Sequence, residues 1–416
     1  MIQPAHPPPT DRLSAKSPLD LTATLDTTAS SCVHRLFACL NSLGRGRAIA
    51  LFMVYVITIA LTYVPLSISA VMGPSTIITP AEAHALHQLP FFLDLAALYA
   101  FLVSFPWLMI LIATDQDVLT RSLNRVRSDG AITICDQDLA QLAAHWNRRF
   151  QTLNVAGQAL AVIAGAVVAY VNYRVCGRSQ VGFWIVDKDG HLLTVGMVYL
   201  YCMFLLYTVV GIFVVRNIAF YLLFKDIVAH SELHMIPAHP DKAGGLLPVG
   251  RLGLRNQYAI TVFGFNALIF LIVYSYFLKL DIAVIGLMAA AIVAYLVLGP
   301  LVFLAPLLPF RGIMQRNKSQ LMSEVAVRLR RELEQIRKKV PEELISKEDE
   351  ELIERLRKIG TVIDDLPVWP FDIGTLRRFL TAYIIPVLIP ITAASYAAVK
   401  VVAPAVEAIL NFFFHR

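Results

Sequence analysis

The residues best suited to chemistry lie in one short region. His230 and His234 stand four apart, on one face of a helix, with Glu232, His239 and Asp241 close by in sequence. Two histidines and a carboxylate are ligands that zinc or a similar ion accepts. The spacing is not H-E-x-x-H, so no general-base glutamate falls where a metalloprotease needs it. The alternative is a polar helix end at a membrane interface. The segment that follows, PAHPDKAGGLLPVG at 237–250, has its own logic. Pro237 and Pro240 end a helix, Asp241 can cap a turn, and Gly244 and Gly245 adopt backbone conformations closed to other residues. Exposed amides beside Lys242 could also hold an anion. We read His239, Pro240, Asp241, Lys242, Gly244 and Gly245 as a rigid elbow.

A second group is marked by its surroundings. Asp94, Arg216 and Asn266 fall within or beside long apolar runs, where ionisable groups are costly unless they face protein or water. Asp94 is expected at an interface or a pore mouth. Arg216 is expected to pair with a carboxylate or a lipid phosphate, and Asn266 to hydrogen-bond between helices. The sequence holds no Walker lysine motif, no G-x-S-x-G elbow and no paired intramembrane aspartates, so an enzyme is not expected. No cofactor is implied.

The elements that would position these residues follow from composition. Of 416 residues 57% are hydrophobic and 16% charged, against about 25% charged in soluble domains. Seven apolar runs approach or exceed the ~20 residues that cross a bilayer: 48–72, 91–114, 154–173, 194–224, 259–278, 282–310 and 379–399. The fold class expected is all-α, a polytopic bundle of about seven transmembrane helices with a cytoplasmic helical hairpin. The net charge of +6 sits mainly in loops and argues for membrane orientation, with no case for nucleic acid. Arg121, Arg125, Arg127, Arg148, Arg149, Arg251 and Arg255 cluster on one side, which places the N-terminus in the cytoplasm and, after seven crossings, the C-terminus outside. Whether 400–416 forms an eighth span stays open. The five cysteines show no metal spacing, and no internal disulfide is expected.

The soluble parts expected are a disordered or amphipathic tail over 1–47, loops at 115–153 and 225–258, and a hairpin over 311–370. The first loop reads as a short β-like segment, then a helix capped by Asp136 or Asp138 that runs into the third span. That span is rich in Ala and Gly, which suggests a place inside the bundle. FWIVDKDGHLLTV carries a hairpin signal. Residues 311–370 combine apolar steps of three and four with dense mixed charge, as in a solvated helical pair able to self-associate or dock a cytoplasmic partner. Trp369, Phe371 and Asp372 precede the last span, the first two as interfacial anchors and the third as a helix cap. This segment is expected to pack against the 237–250 elbow.

Two resemblances bear on function. His239-Pro240-Asp241-Lys242 resembles the J-domain tetrapeptide, but the flanking sequences lack the helices of that domain, and the match ends at four residues. Taken together, DGAITICDQDLAQLAAHWNRRFQ, HPDKAGGLLPVG, LGPLVFLAPLLPFRGIMQRNKSQLM and LPVWPFDIGTLRRFLTAYIIPVL resemble a group of bacterial multi-pass inner-membrane proteins with HPDKAGGL-like and PVWPFD-like segments. The resemblance spans roughly residues 115–390, implies a bacterial inner membrane, and transfers no activity. The function expected is an oligomeric channel or transport pathway for ions or small solutes. The alternative is a membrane scaffold or signalling subunit that docks a partner through the hairpin.

Overall fold

The computed structural model describes residues 24–28, 31–42, 46–72, 89–179, 184–186, 191–233, 239–277, 282–339 and 347–394. A short helix α1 (Cys32–Ser42) precedes the first crossing, which is α2 (Arg47–Leu61) and α3 (Tyr63–Met72), interrupted at Thr62. The second is α4 (Leu95–Tyr99), a π-helical turn (Ala100–Ser104) and α5 (Phe105–Ser128). Next come α6 (Asp136–Ser179), α7 (Thr194–Ala229), α8 (Leu247–Phe277) and α9 (Ile282–Leu304). A single 3₁₀ turn then leads into α10 (Leu308–Lys339), followed by α11 (Lys347–Asp364) and α12 (Ile373–Ala394). Among the described residues, six helical stretches are long and apolar enough to cross a membrane: Arg47–Met72, Leu95–Ser128, Asp136–Arg174, Thr194–Ala229, Leu247–Tyr274 and Ile292–Arg337. Helix α12 packs beside α8 as a seventh apolar helix. α10 and α11 form the helical hairpin at one end of the bundle, called the hairpin end below.

Proline breaks the crossings, and tyrosine repairs them. A proline has no N–H to give to the carbonyl four residues back, and in lipid a freed carbonyl is costly. Pro106 releases Leu102, and the Tyr55 hydroxyl of α2 donates to that oxygen at 2.9 Å. Pro300, inside α9, releases Leu296, and the Tyr383 hydroxyl of α12 donates to it at 2.8 Å. Each kink therefore also fastens one crossing to another.

Several sequence expectations change. The small residues of α6 do not bury it. Gly157, Ala161 and Gly165 form one stripe against Val215, Gly211 and Thr208 of α7. Trp146 and Phe150 are buried nearer the start of the helix, whereas Leu160, Ile163 and Tyr170 in its apolar part are exposed. Small side chains allow close approach on one face, and one face is all they settle. The tail is not wholly loose either: Leu25, Thr27 and Ser31 are buried against the bundle. The β-like segment is real but short. Ile132–Thr133 (β1) pairs antiparallel with Glu232–Leu233 (β2), which ties the loop before α6 to the loop after α7. A bridge between Val186 and Leu192 closes the expected 183–195 hairpin, whose Lys188–Gly190 turn lies outside the described residues. Pro341, and the segment of the chain beyond 394, lie outside them too.

Candidate functional site

A cavity of about 370 Å³ lies in the half of the bundle away from the hairpin end, walled by α4, α6, α7, α8 and α9. Its lining is mostly apolar and aromatic, with Phe213, Phe263 and Phe270 prominent. Side chains with polar atoms interrupt it: Asn172 of α6, Tyr199 and Tyr207 of α7, Asn266 and Tyr274 of α8, and Tyr295 of α9. Asn172 donates to its own helix at Val168 (2.9 Å). The buried Oδ1 of Asn266 has no partner among the described residues, nor has the Tyr207 hydroxyl. Asn266 therefore does not bridge helices as the sequence suggested. It faces space.

Polar groups continue from the cavity toward the hairpin end. One turn of α8 beyond the cavity-lining Ile260 lies Gln257, fully buried, with both amide atoms unpartnered among the described residues. Beside it, Asn256 donates to Asn217 of α7 at 2.7 Å, and Asn217 donates to the Phe213 carbonyl at 2.8 Å. Phe213 itself lines the cavity, so the two features share a residue.

At the end of this column sits a buried ion pair. Arg216 of α7 is 2% exposed and Asp115 of α5 is 5% exposed. The guanidinium meets the carboxylate through two nitrogens, one at 2.6 Å. Its remaining donors reach the Thr27 carbonyl (3.0 Å), the Thr27 hydroxyl (3.1 Å) and Asn154 Oδ1 (3.2 Å). His34 of α1 lies 2.9 Å from Asp115 through Nε2 and 2.8 Å from the Ser31 hydroxyl through Nδ1. Arg255 of α8 donates to the Leu111 carbonyl (2.7 Å) and to the Thr114 hydroxyl. A buried arginine is tolerable when paired and fully hydrogen-bonded, and Arg216 is both. The expected carboxylate partner is found. That the partner's environment is completed by Thr27 and His34, from the N-terminal strap, is not legible in sequence, because they stand far from it in the chain.

The other intramembrane candidate, Asp94, is completely buried. Oδ1 accepts from the Ala97 amide at 3.0 Å and caps α4, while Oδ2 accepts from Trp184 Nε1 (3.0 Å) and the Tyr274 hydroxyl (3.3 Å). It holds three segments together at the end of the bundle opposite the hairpin, shielded from solvent.

No protein-family model, curated protein or solved structure matches the chain. The fold itself decides the class. This is a multi-pass, all-α membrane protein.

The elbow is built around Asp241. Its Oδ1 accepts from the amides of Ala243 (2.9 Å) and Gly245 (3.1 Å), and Oδ2 from that of Leu247 (3.2 Å), the first residue of α8. His239 Nδ1 lies 2.7 Å from Oδ1. Lys242, Gly244 and Gly245 all have positive φ (54°, 65° and 90°), which curls the amides inward. The concavity that could have held an anion is filled by the chain's own carboxylate. Burial acts to raise the Asp241 carboxyl, but the amides of Ala243 and Gly245, the His239 ring and the Leu247 amide outweigh it and hold it below the usual range. Pro240, exposed, opens the turn.

The 368–372 segment docks directly on this elbow. A Cβ at Gly250 would collide with the Pro370 carbonyl and Phe371. Phe371 packs on Phe303 (5.5 Å between ring centroids), and Trp369 lies under the Arg311 guanidinium at 4.4 Å. Asp372 accepts from the hydroxyl (2.5 Å) and amide (3.0 Å) of Thr375, capping α12. The Thr375 hydroxyl, more than any other contact, holds that carboxyl below its ordinary value. Among the described residues no group of three His, Cys, Asp or Glu is placed to hold a metal. The His230 ring meets the Asp226 carbonyl at 2.8 Å, and His234 lies outside the described residues.

Proposed function

We propose that the protein is a transport pathway for small uncharged solutes across a bacterial inner membrane, closed in this state at its cytoplasmic end. The observation that carries the reading is the alignment of a cavity, the unpartnered amide of Gln257, the Asn217–Asn256 pair and the Asp115–Arg216 layer within one apolar bundle. A membrane protein of this kind gains nothing in stability from such a column. Unpartnered buried amides cost about 1–3 kcal/mol each, and intramembrane polar groups commonly mark solute routes. Uncharged solutes are favoured over ions because the cavity presents no charged side chain, and the ion pair beneath it is self-neutralising. Placing the hairpin end in the cytoplasm follows from the arginines at the ends of α5 and α6 and the start of α8. The reading is of a non-catalytic protein.

Stopped-flow light scattering on proteoliposomes tests it. Glycerol, urea and short alcohols should equilibrate faster than in empty vesicles, and Gln257→Leu should slow them. Absence of flux for the whole uncharged panel, in protein that remains folded, would rule the pathway out.

A second reading, a scaffold that docks a partner, is favoured by one observation. Val327, Leu333, Ile359 and Val362 on the α10–α11 hairpin are exposed among dense charge. Deleting the hairpin should then remove a cytoplasmic partner or self-association while membrane insertion stays intact.

A further inference from the structure

We infer that the cavity binds a neutral amphiphile: a compact apolar body carrying one hydroxyl or amide N–H donor. The inference rests on reading the cavity as the solute chamber and names the class of molecule it takes. Its volume of about 370 Å³ falls within the ~300–1,000 Å³ of small-molecule sites. The walls supply mainly apolar and aromatic surface, which an alkyl or aryl body matches.

The polar requirement is equally specific. Asn266 Oδ1 is an acceptor buried without a donor, and the Tyr207 hydroxyl of α7, on the same cavity, has no protein partner among the described residues. An alcohol can give its proton to Asn266 or accept one from Tyr207. A hydrocarbon of the same length leaves both unmet. A carboxylate or ammonium head would enter without a counter-charge, since Asp94 is turned to Trp184, Tyr274 and the Ala97 amide. The arrangement therefore selects against both extremes, the pure alkane and the ion.

The test uses the full chain in lipid nanodiscs with a diazirine-bearing medium-chain alcohol, adducts being mapped by peptide mass spectrometry. Adducts should concentrate around Met203–Tyr207 and Asn266–Leu271, and 1-octanol should compete about tenfold better than octane or octanoate. Asn266→Leu should erase the preference for octanol over octane. Ala294→Phe, which fills the cavity from an exposed wall position, should remove the adducts without lowering the melting temperature. Equal competition by octane and octanol, or adducts spread evenly over lipid-facing positions such as Phe52 and Ile163, would overturn the inference. Adducts in the cavity without solute flux would overturn the transport reading and leave the ligand class standing. Flux without alcohol adducts would do the reverse.

Discussion

Arg216 and Asp115 illustrate why a residue can be easy to notice and hard to interpret. An arginine in an apolar run draws attention at once, but its meaning depends on Asp115, 101 positions earlier, and Thr27, 189 positions earlier. Removing either charge leaves the other buried without its main counter-charge, so Asp115→Asn or Arg216→Met should each cost about 3–5 kcal/mol, while Asp115→Leu combined with Arg216→Met should cost far less than the sum. Thermal unfolding in detergent, followed by circular dichroism, measures all three. Asp241 makes a different kind of statement. Its folded pKa is depressed below the ~3.9 of a free aspartate, so its stabilisation is complete above that value and is lost as pH falls through the folded one. Asp241→Asn should therefore melt well below the native protein at pH 7, by about 1–3 kcal/mol, and the gap should close below about pH 4. A gap independent of pH would mean the amides do not recognise the charge.

Elements were largely readable, their contacts less so. The crossings follow from run length, and the 44-residue α6 follows from a capped helix running on into the third span. What composition could not say is which face of α6 meets protein, since Ala and Gly are equally at home against lipid and against α7. The stripe Gly157–Ala161–Gly165 settles it: a leucine at Gly165 would meet the Phe204 carbonyl and the Thr208 backbone, and should part α6 from α7 with a marked drop in melting temperature. The proline kinks teach a similar lesson. Pro106 and Pro300 are visible in the sequence, whereas Tyr55 and Tyr383 are two among fifteen tyrosines until distance singles them out. Tyr55→Phe and Tyr383→Phe each remove one hydroxyl and leave a carbonyl unmet within the bundle, a loss of about 1–3 kcal/mol that unfolding assays resolve. Phenylalanine variants as stable as the native protein would show that the kinks satisfy themselves.

At the scale of the molecule, the architecture is a bundle with a polar column in its interior, a hairpin at one end and an elbow locked to the 368–372 segment. The packing of that segment on the elbow, expected from two interfacial motifs, is seen where Gly250 meets Pro370. The cavity was not expected at all, because no sequence pattern encodes the space between five helices. If the Asp115–Arg216 layer closes the pathway, removing the strap through Ser31 should raise solute flux, since Arg216 then loses both Thr27 contacts and His34 loses Ser31. Unchanged flux would assign the strap to stability alone. The same strap imposes an order on biosynthesis. Thr27 leaves the ribosome 189 residues ahead of Arg216, a delay of roughly 10–40 s at ordinary elongation rates. Through that interval Thr27 has no Arg216 to accept from, and Asp115, once made, waits for its main counter-charge. The strap is thus made before the helices it fastens and is fixed only once Arg216 has emerged, and a bulky fusion ahead of it that anchors early would compete directly with that step of assembly.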